Sequence, residues 1–199
     1  MVDMVSKNER NVRYEILDGK IFYMAPPAGE SHHNITDNIT TIFKNYLKGK
    51  PCRAYSDGPY VHLDTVDVSD ISKKDKLIPD VMIVCNKDII KKNFIAGAPD
   101  LIVEVLSPST AKNDIGYKKD LYAEYGVKEY WIISQEERSV QVYILKDGVY
   151  KLDNIYRIYE DWVLEGMDEE EKSEIIKEFK TSLYDDLIIK VEEVFENVE

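Results

Sequence analysis

The sequence predicts an α/β (α+β) fold, a mixed β-sheet flanked by helices, and three observations carry that expectation. Strand-like and helical stretches follow one another in mixed order rather than in a strict βαβ rhythm. The runs "LIPDVMIVC" and "PDLIVEVL" are apolar at successive positions, as strands covered on both faces of a sheet are. The 199 residues are 44% hydrophobic and 32% charged, enough for a proper core in one domain spanning residues 1–199.

Each element has a local signal. "VRYEILDGKIFYMAP" reads as a hairpin around Asp18-Gly19, a pair suited to a type I′ turn. In "ESHHNITDNITTIFKNYLKGK" the residues Ile35, Ile39, Ile42, Phe43, Tyr46 and Leu47 recur at helical spacing, with Ser31 as the expected N-cap and Gly49 as the stop. "CRAYS" and "PYVHLD" are short strands, and "TVDVSDISKKDK" is a polar surface loop. After "PDLIVEVL" a helix is expected from Asn113 or Asp114 to Tyr125, closed by Gly126. "EYWIIS", "SVQVYIL" and "VYKLDN" follow as strands, the last two joined by a "KDG" turn. An acidic helix around "DEEEKSEIIKEF" and a final "LIIKVEEVF" segment close the chain.

Composition limits the partners. No window offers the ~20 apolar residues of a membrane span, and the opening "MVDMVSKNER" is too polar for a secretory signal. Cys52 and Cys85 lack metal-site spacing and are expected as free core thiols in a reducing cytoplasm. The net charge of -12 is unevenly spread. Residues 159–199 hold 15 acidic and 4 basic residues, leaving 23 acidic and 22 basic before them. A nearly neutral body does not exclude a polyanion, although it shows no basic stripe. The acidic segment either screens such a site or forms a remote solvated face.

Glu104 poses the chemical question, because a carboxylate inside "LIVEVL" is costly without a cation, a proton or hydrogen bonds. It either meets a basic side chain or holds a metal. Asp100 shares its sheet face but lies ~13 Å away along the strand, too far to grip the same ion. Asp80 opens a separate strand. If that strand neighbours Glu104's, two carboxylates ~4.8 Å apart suit one hard cation.

The motifs "YEILDG", "SHHNI", "IPDVMIV", "PDLIVEVLSPST", "DIGYK" and "YAEYGVKEYWII", in this order, resemble the Uma-type branch of the PD-(D/E)XK nuclease superfamily. The likeness runs from about Tyr14 to Phe195. It implies a restriction endonuclease-like core, a divalent metal and phosphodiester hydrolysis. Leu106 fills the usual lysine slot after Glu104, and the matching lysine of this branch is Lys118 in the following helix. Lys119 is rotated ~100° away. The resemblance implies Asp80, Glu104 and Lys118 as catalytic residues. Mg²⁺ or Mn²⁺ would be held by Asp80, Glu104 and the carbonyl of Val105. His32, on the inward stripe of its helix, and Glu15 are auxiliary candidates, against the alternatives of a satisfied core histidine and a solvated glutamate. "SPST" could add hydroxyl contacts to phosphate. The implied partner is nucleic acid, DNA before RNA, with no membrane and with a homodimer left open. The rival function is a non-cleaving nucleic-acid or protein-binding module on the same scaffold, and hydrolysis of a small phosphoester is a poorer third.

Overall fold

A computed structural model describes residues 13–23, 29–64 and 75–198. The opening decapeptide and most of the polar run "TVDVSDISKKDK" lie outside the described residues. Among those described, the central sheet has six strands in the order β10-β9-β8-β7-β5-β3. These are β3 (Arg53–Ser56), β5 (Val81–Val84), β7 (Leu101–Val105), β8 (Glu129–Ser134), β9 (Ser139–Lys146) and β10 (Val149–Arg157). The sheet is mixed: β7 and β8 run parallel, and the other neighbours run antiparallel. The helix-containing crossover between β7 and β8 is what a parallel pair requires.

Both faces of the sheet are covered, as the unbroken apolar runs predict. Val81, Ile83, Leu101, Val103 and Trp131 face α1 (Glu30–Leu47) and the C-terminal elements, in a core that includes Ile35, Ile39, Phe43 and Phe195. Met82, Val84, Ile102, Tyr130 and Ile132 face the opposite way, toward Leu121 and Tyr122 and toward Val61 and Ile95. Val61 and Ile95 belong to a small parallel pair, β4 (Tyr60–His62) and β6 (Phe94–Ala96).

The first hairpin forms as expected. β1 (Tyr14–Leu17) and β2 (Lys20–Tyr23) pair antiparallel, and Asp18 and Gly19 have φ of 50° and 69°, the two left-handed positions of a type I′ turn. The "KDG" turn repeats the device with Asp147 and Gly148. The start of α1 departs from expectation. Gly29, with extended backbone, is the N-cap and its carbonyl accepts the His33 N–H, so Ser31 lies inside the first turn. Gly49 does end the helix, at φ 80°.

The helix after β7 also starts earlier, at Ala111. It runs through α2 (Ala111–Asn113), a π-helical turn (Asp114–Lys118) and α3 (Lys119–Glu124) before Gly126 at φ 83°. A π turn widens the helix by one residue and re-aims the side chains beside it.

The acidic segment divides into two parts. The helices α4 (Asp161–Gly166) and α5 (Glu169–Ser173) have no buried residues. The helix α5 is shorter than expected: it opens on an Asp168–Glu171 capping box, and Glu178 already begins a strand. From there β11 (Glu178–Thr181), β12 (Tyr184–Lys190) and α6 (Val191–Val194) send Phe179, Leu187, Ile189 and Phe195 into the core. Glu129 anchors this return. One of its carboxylate oxygens accepts from Trp131 Nε1 at 2.6 Å, and the other accepts from Ser182 N and Oγ, each at 2.6 Å. Asn38 and Asn34 of α1 donate to carbonyls of Val194, Glu196 and Asn197.

Cys52 and Cys85 are not free thiols; they form a disulfide. The reason is register. Arg53 pairs with Val84 in the antiparallel β3–β5 ladder, so the next residues outward, Cys52 and Cys85, face each other across the two strands. A sequence separation of 33 hid that proximity. Closing a loop of this length is worth about 3–4 kcal/mol on the chain-entropy estimate. The Cys52→Ala/Cys85→Ala variant should therefore unfold at lower urea concentration, and added dithiothreitol should lower the wild-type midpoint but not the variant's. Equal midpoints for wild type and variant would show that the bridge contributes nothing.

Candidate active site

The structure brings all five sequence-derived side chains to one place, where β5 begins and β7 ends. The antiparallel register pairs Val81 with Val103. Continuing it by one residue sets Asp80 opposite Glu104, with side chains on the same face. Asp80 Oδ2 accepts the Val105 N–H at 2.7 Å, tying the two strands together beyond their last ladder pair. In an antiparallel arrangement a residue's N–H and C=O point the same way, so the Val105 carbonyl also leaves β7 toward Asp80. Asp100 is occupied elsewhere, accepting from Cys85 N and Lys128 Nζ at 2.7 Å each.

Glu104 is 2% exposed and does meet a basic side chain. Its Oε1 accepts from Lys118 Nζ at 3.2 Å and from the Tyr122 hydroxyl at 2.9 Å. Lys118 is 3% exposed, and its ammonium also lies 3.0 Å from Glu15 Oε2 and 3.0 Å from Asp114 Oδ1. Glu15 is buried, not solvated; its other oxygen accepts the Ile78 N–H at 2.8 Å. The expectation that the intervening helix supplies the lysine is met in position. Leu106 packs against the apolar side chains of the Glu104 face, and Lys119 turns away to lie 3.6 Å from the Tyr143 ring centroid.

His32 reaches the site from the first turn of α1. Its Nε2 lies 3.2 Å from Asp80 Oδ1, while Nδ1 is buried with no hydrogen-bond partner among the described residues. Burial pulls its pKa down, but the hydrogen bond and charge of Asp80, helped by Asp57 and Asp114, outweigh that and raise it above the usual 6.5. The "SPST" hydroxyls are engaged with one another, Ser107 Oγ lying 3.1 Å from Ser109 Oγ and 2.9 Å from Thr110 Oγ1.

Sequence reasoning passed over two members of the cluster. Asp114 and Tyr122 sit four residues before and after Lys118, one helical ridge aimed at Glu104. The i, i+4 spacing of "DIGYKKDLY" was the available signal.

Three carboxylates surround one ammonium in a space with almost no solvent, so the cluster has an excess of negative charge. Burial first, and then the charges of Asp114, Asp80 and Glu15, push Glu104 well above the ordinary carboxylate range against the opposing pull of Lys118. That excess, the hard oxygen donors and the pairing of Asp80 with Glu104 fit a divalent cation of the Mg²⁺ type. Among the described residues, no three His, Cys, Asp or Glu side chains already converge as a cage.

With this geometry in view, known proteins supply context. The Uma2 family, described as "Putative restriction endonuclease", matches residues 2–177, and the chain belongs to that family. An uncharacterized protein from Synechocystis sp. is 28% identical over 136 residues, covering 68% of this chain and 67% of that protein. A crystal structure from Anabaena variabilis, titled "a putative nuclease belonging to DUF820", aligns with a TM-score of 0.65 and 17% identity. The alignment covers 92% of this chain and 89% of that one. At that identity the likeness concerns the fold, a mixed sheet with flanking helices.

Removing the ammonium would leave buried carboxylates without a counter-charge. Lys118→Met should cost about 3–5 kcal/mol of stability at pH 8. The sign with pH follows from the raised Glu104 pKa. The folded variant binds protons that the unfolded chain releases, so the deficit should shrink as pH falls toward the unfolded carboxylate value. Urea midpoints measured across pH 5.5–8 check this, and a pH-independent deficit would contradict it.

Proposed function

We propose that this Uma2-family chain is a metal-dependent endonuclease that hydrolyses phosphodiester bonds in DNA. The observation that carries the reading is the buried Lys118 ammonium, which bridges Glu104, Glu15 and Asp114 one strand away from Asp80. A core ion pair needs one carboxylate per ammonium; this surplus suits a second cation.

Asp80, Glu104 and the Val105 carbonyl are the residues that would hold Mg²⁺ or Mn²⁺. When bound, such an ion supplies a Lewis acid for a phosphate oxygen and lowers the pKa of a water. The protein's own groups do the rest. His32 and the Val105 N–H fix the Asp80 carboxylate from two directions. Tyr122 holds the Glu104 carboxylate at the oxygen that also meets Lys118. Burial lowers the Lys118 pKa, but Glu104, Glu15 and Asp114 more than reverse this and hold it well above the usual lysine value. Lys118 therefore stays an ammonium near neutral pH and acts as a charge donor to the developing phosphorane, not as a general base.

One observation favours the rival, a non-cleaving binding module. Glu104 is closed by Lys118 and Tyr122, as a purely structural cluster would be. Two measurements separate the readings. Calorimetric titration of Mn²⁺ should show a site that is lost in Asp80→Asn and in Glu104→Gln. Plasmid, single-stranded DNA and RNA incubated with Mg²⁺ or Mn²⁺ should show DNA cleavage that chelator abolishes. Lys118→Ala, confirmed folded by circular dichroism, should lose about a hundredfold or more in rate, or ~2.7–4 kcal/mol. Lys119→Ala should stay near wild type. Binding of metal unchanged in both carboxylate variants would remove the metal site, and cleavage by Asp80→Asn at the wild-type rate would remove the enzyme reading.

A further inference from the structure

A cleft of about 480 Å³ opens between the C-terminal half of α1 and the edge strand β3, far from the carboxylate cluster in sequence. Lys44, Lys48 and Arg53 line it, together with Tyr55. In a chain of net charge -12 this concentration of cations is unusual, and none of the three forms an ion pair among the described residues. The cations are uncompensated here, whereas Arg13, Lys50 and Lys128 have carboxylate partners.

Both walls of the cleft lead to the candidate active site. β3 runs from Arg53 to Ser56, and Ser56 pairs with Val81, the residue after Asp80. The Asp57 N–H donates to the Asp80 carbonyl at 3.2 Å. Arg53 is thus four residues, or ~13 Å, from the site along an extended strand. On the other wall His32, Thr36, Thr40 and Lys44 of α1, and Lys48 just past its end, follow at four-residue intervals, a ridge that winds ~40° per step. His32 touches Asp80 at one end, and Lys44 and Lys48 line the cleft at the other. Between them Thr36 and Thr40 are 3% and 4% exposed, and neither hydroxyl has a hydrogen-bond partner among the described residues. Burying hydroxyls without partners is costly, and apolar residues would serve packing better at both positions.

We propose that this cleft binds the sugar–phosphate backbone of one DNA strand and leads it toward Asp80 and Glu104. The assignment of DNA as occupant rests on the nuclease reading; the cleft itself rests on charge and placement. Three uncompensated cations neutralise successive phosphates. The edge position of β3 leaves that wall open along its length.

The test compares wild type with Lys44→Gln/Lys48→Gln/Arg53→Gln. A control, Lys87→Gln/Lys91→Gln/Lys92→Gln, removes the same charge from the segment whose Ile89 and Ile90 pack on the opposite face of the sheet. Binding of labelled single-stranded DNA, duplex DNA and RNA is followed by anisotropy with chelator present, from about 50 to 200 mM salt. The cleft variant should bind DNA of any sequence more weakly, with a slope of log K against log salt shallower by about 2 to 3. The control should match wild type. Equal affinity in all three proteins, equal loss in both variants, or no DNA binding by wild type would each overturn the cleft, and dependence seen with RNA alone would overturn DNA as its occupant. Plasmid cleavage keeps the two readings apart. Cleft-dependent binding without metal-dependent cleavage supports the cleft and removes the nuclease, whereas cleavage with cleft-independent binding does the reverse.

Discussion

A lysine ammonium at 3% exposure is the constraint to which the surrounding structure answers. A charge in so dry a place needs counter-charges with good geometry, and Lys118 draws them from three different parts of the chain: the first hairpin, a central strand and its own helix. The π-helical turn belongs to the same arrangement, since Asp114 to Lys118 is the widened stretch that presents both partners inward. Glu15 in turn accepts the Ile78 N–H, so the hairpin is fastened to the chain two residues before Asp80. The electrostatics of the cluster and the attachment of the N-terminal hairpin are one interaction.

The sheet provides the frame that makes such a cluster affordable. With apolar side chains on both faces of β5 and β7, water is excluded from most of their length, and polar groups concentrate where the ladder ends. Asp80 substitutes its side chain for a ladder partner at Val105, which lets the strand pair terminate without an unsatisfied N–H. That termination points carboxylates, a carbonyl and His32 at one another. Strand ends combine rigid positioning with polar partners from other elements, and the interior of the sheet offers only the first.

The uneven charge of the chain also acquires a structural meaning. The exposed acid of α4 and α5 is separated in sequence from the later stretch, which returns to the core through Phe179, Ile189 and Phe195. Glu129 holds that return by accepting from Trp131 and from both Ser182 donors. Glu129 is therefore satisfied entirely by neutral donors, the opposite solution to that of Glu104. Burial still raises its pKa, against the hydrogen bonds that lower it. Neutral donors orient a carboxylate; an ammonium beside it also supplies a counter-charge.

The sequence by itself determined the mixed α/β class, the two-faced strands β5 and β7 and the type I′ hairpin, and it left the pairing of Asp80 with Glu104 conditional on their strands being neighbours. All of these rest on periodicity and turn chemistry within a few residues. Lys118 was singled out by the resemblance to the family motif, and the ~100° between adjacent helical side chains then set Lys119 aside. Register and long-range pairing were not legible. Cys52 and Cys85 looked like separate thiols until the β3–β5 ladder set them face to face. Glu15 stood between an auxiliary acid and a solvated glutamate because its partners, Ile78 N and Lys118, are distant in sequence. Asp114 and Tyr122 had the right spacing, yet only the packing of their helix against β7 showed what that ridge faces. Local sequence sets which way a side chain leaves its own element; what it meets there depends on where another element comes to rest, and that is decided by the burial of the whole core.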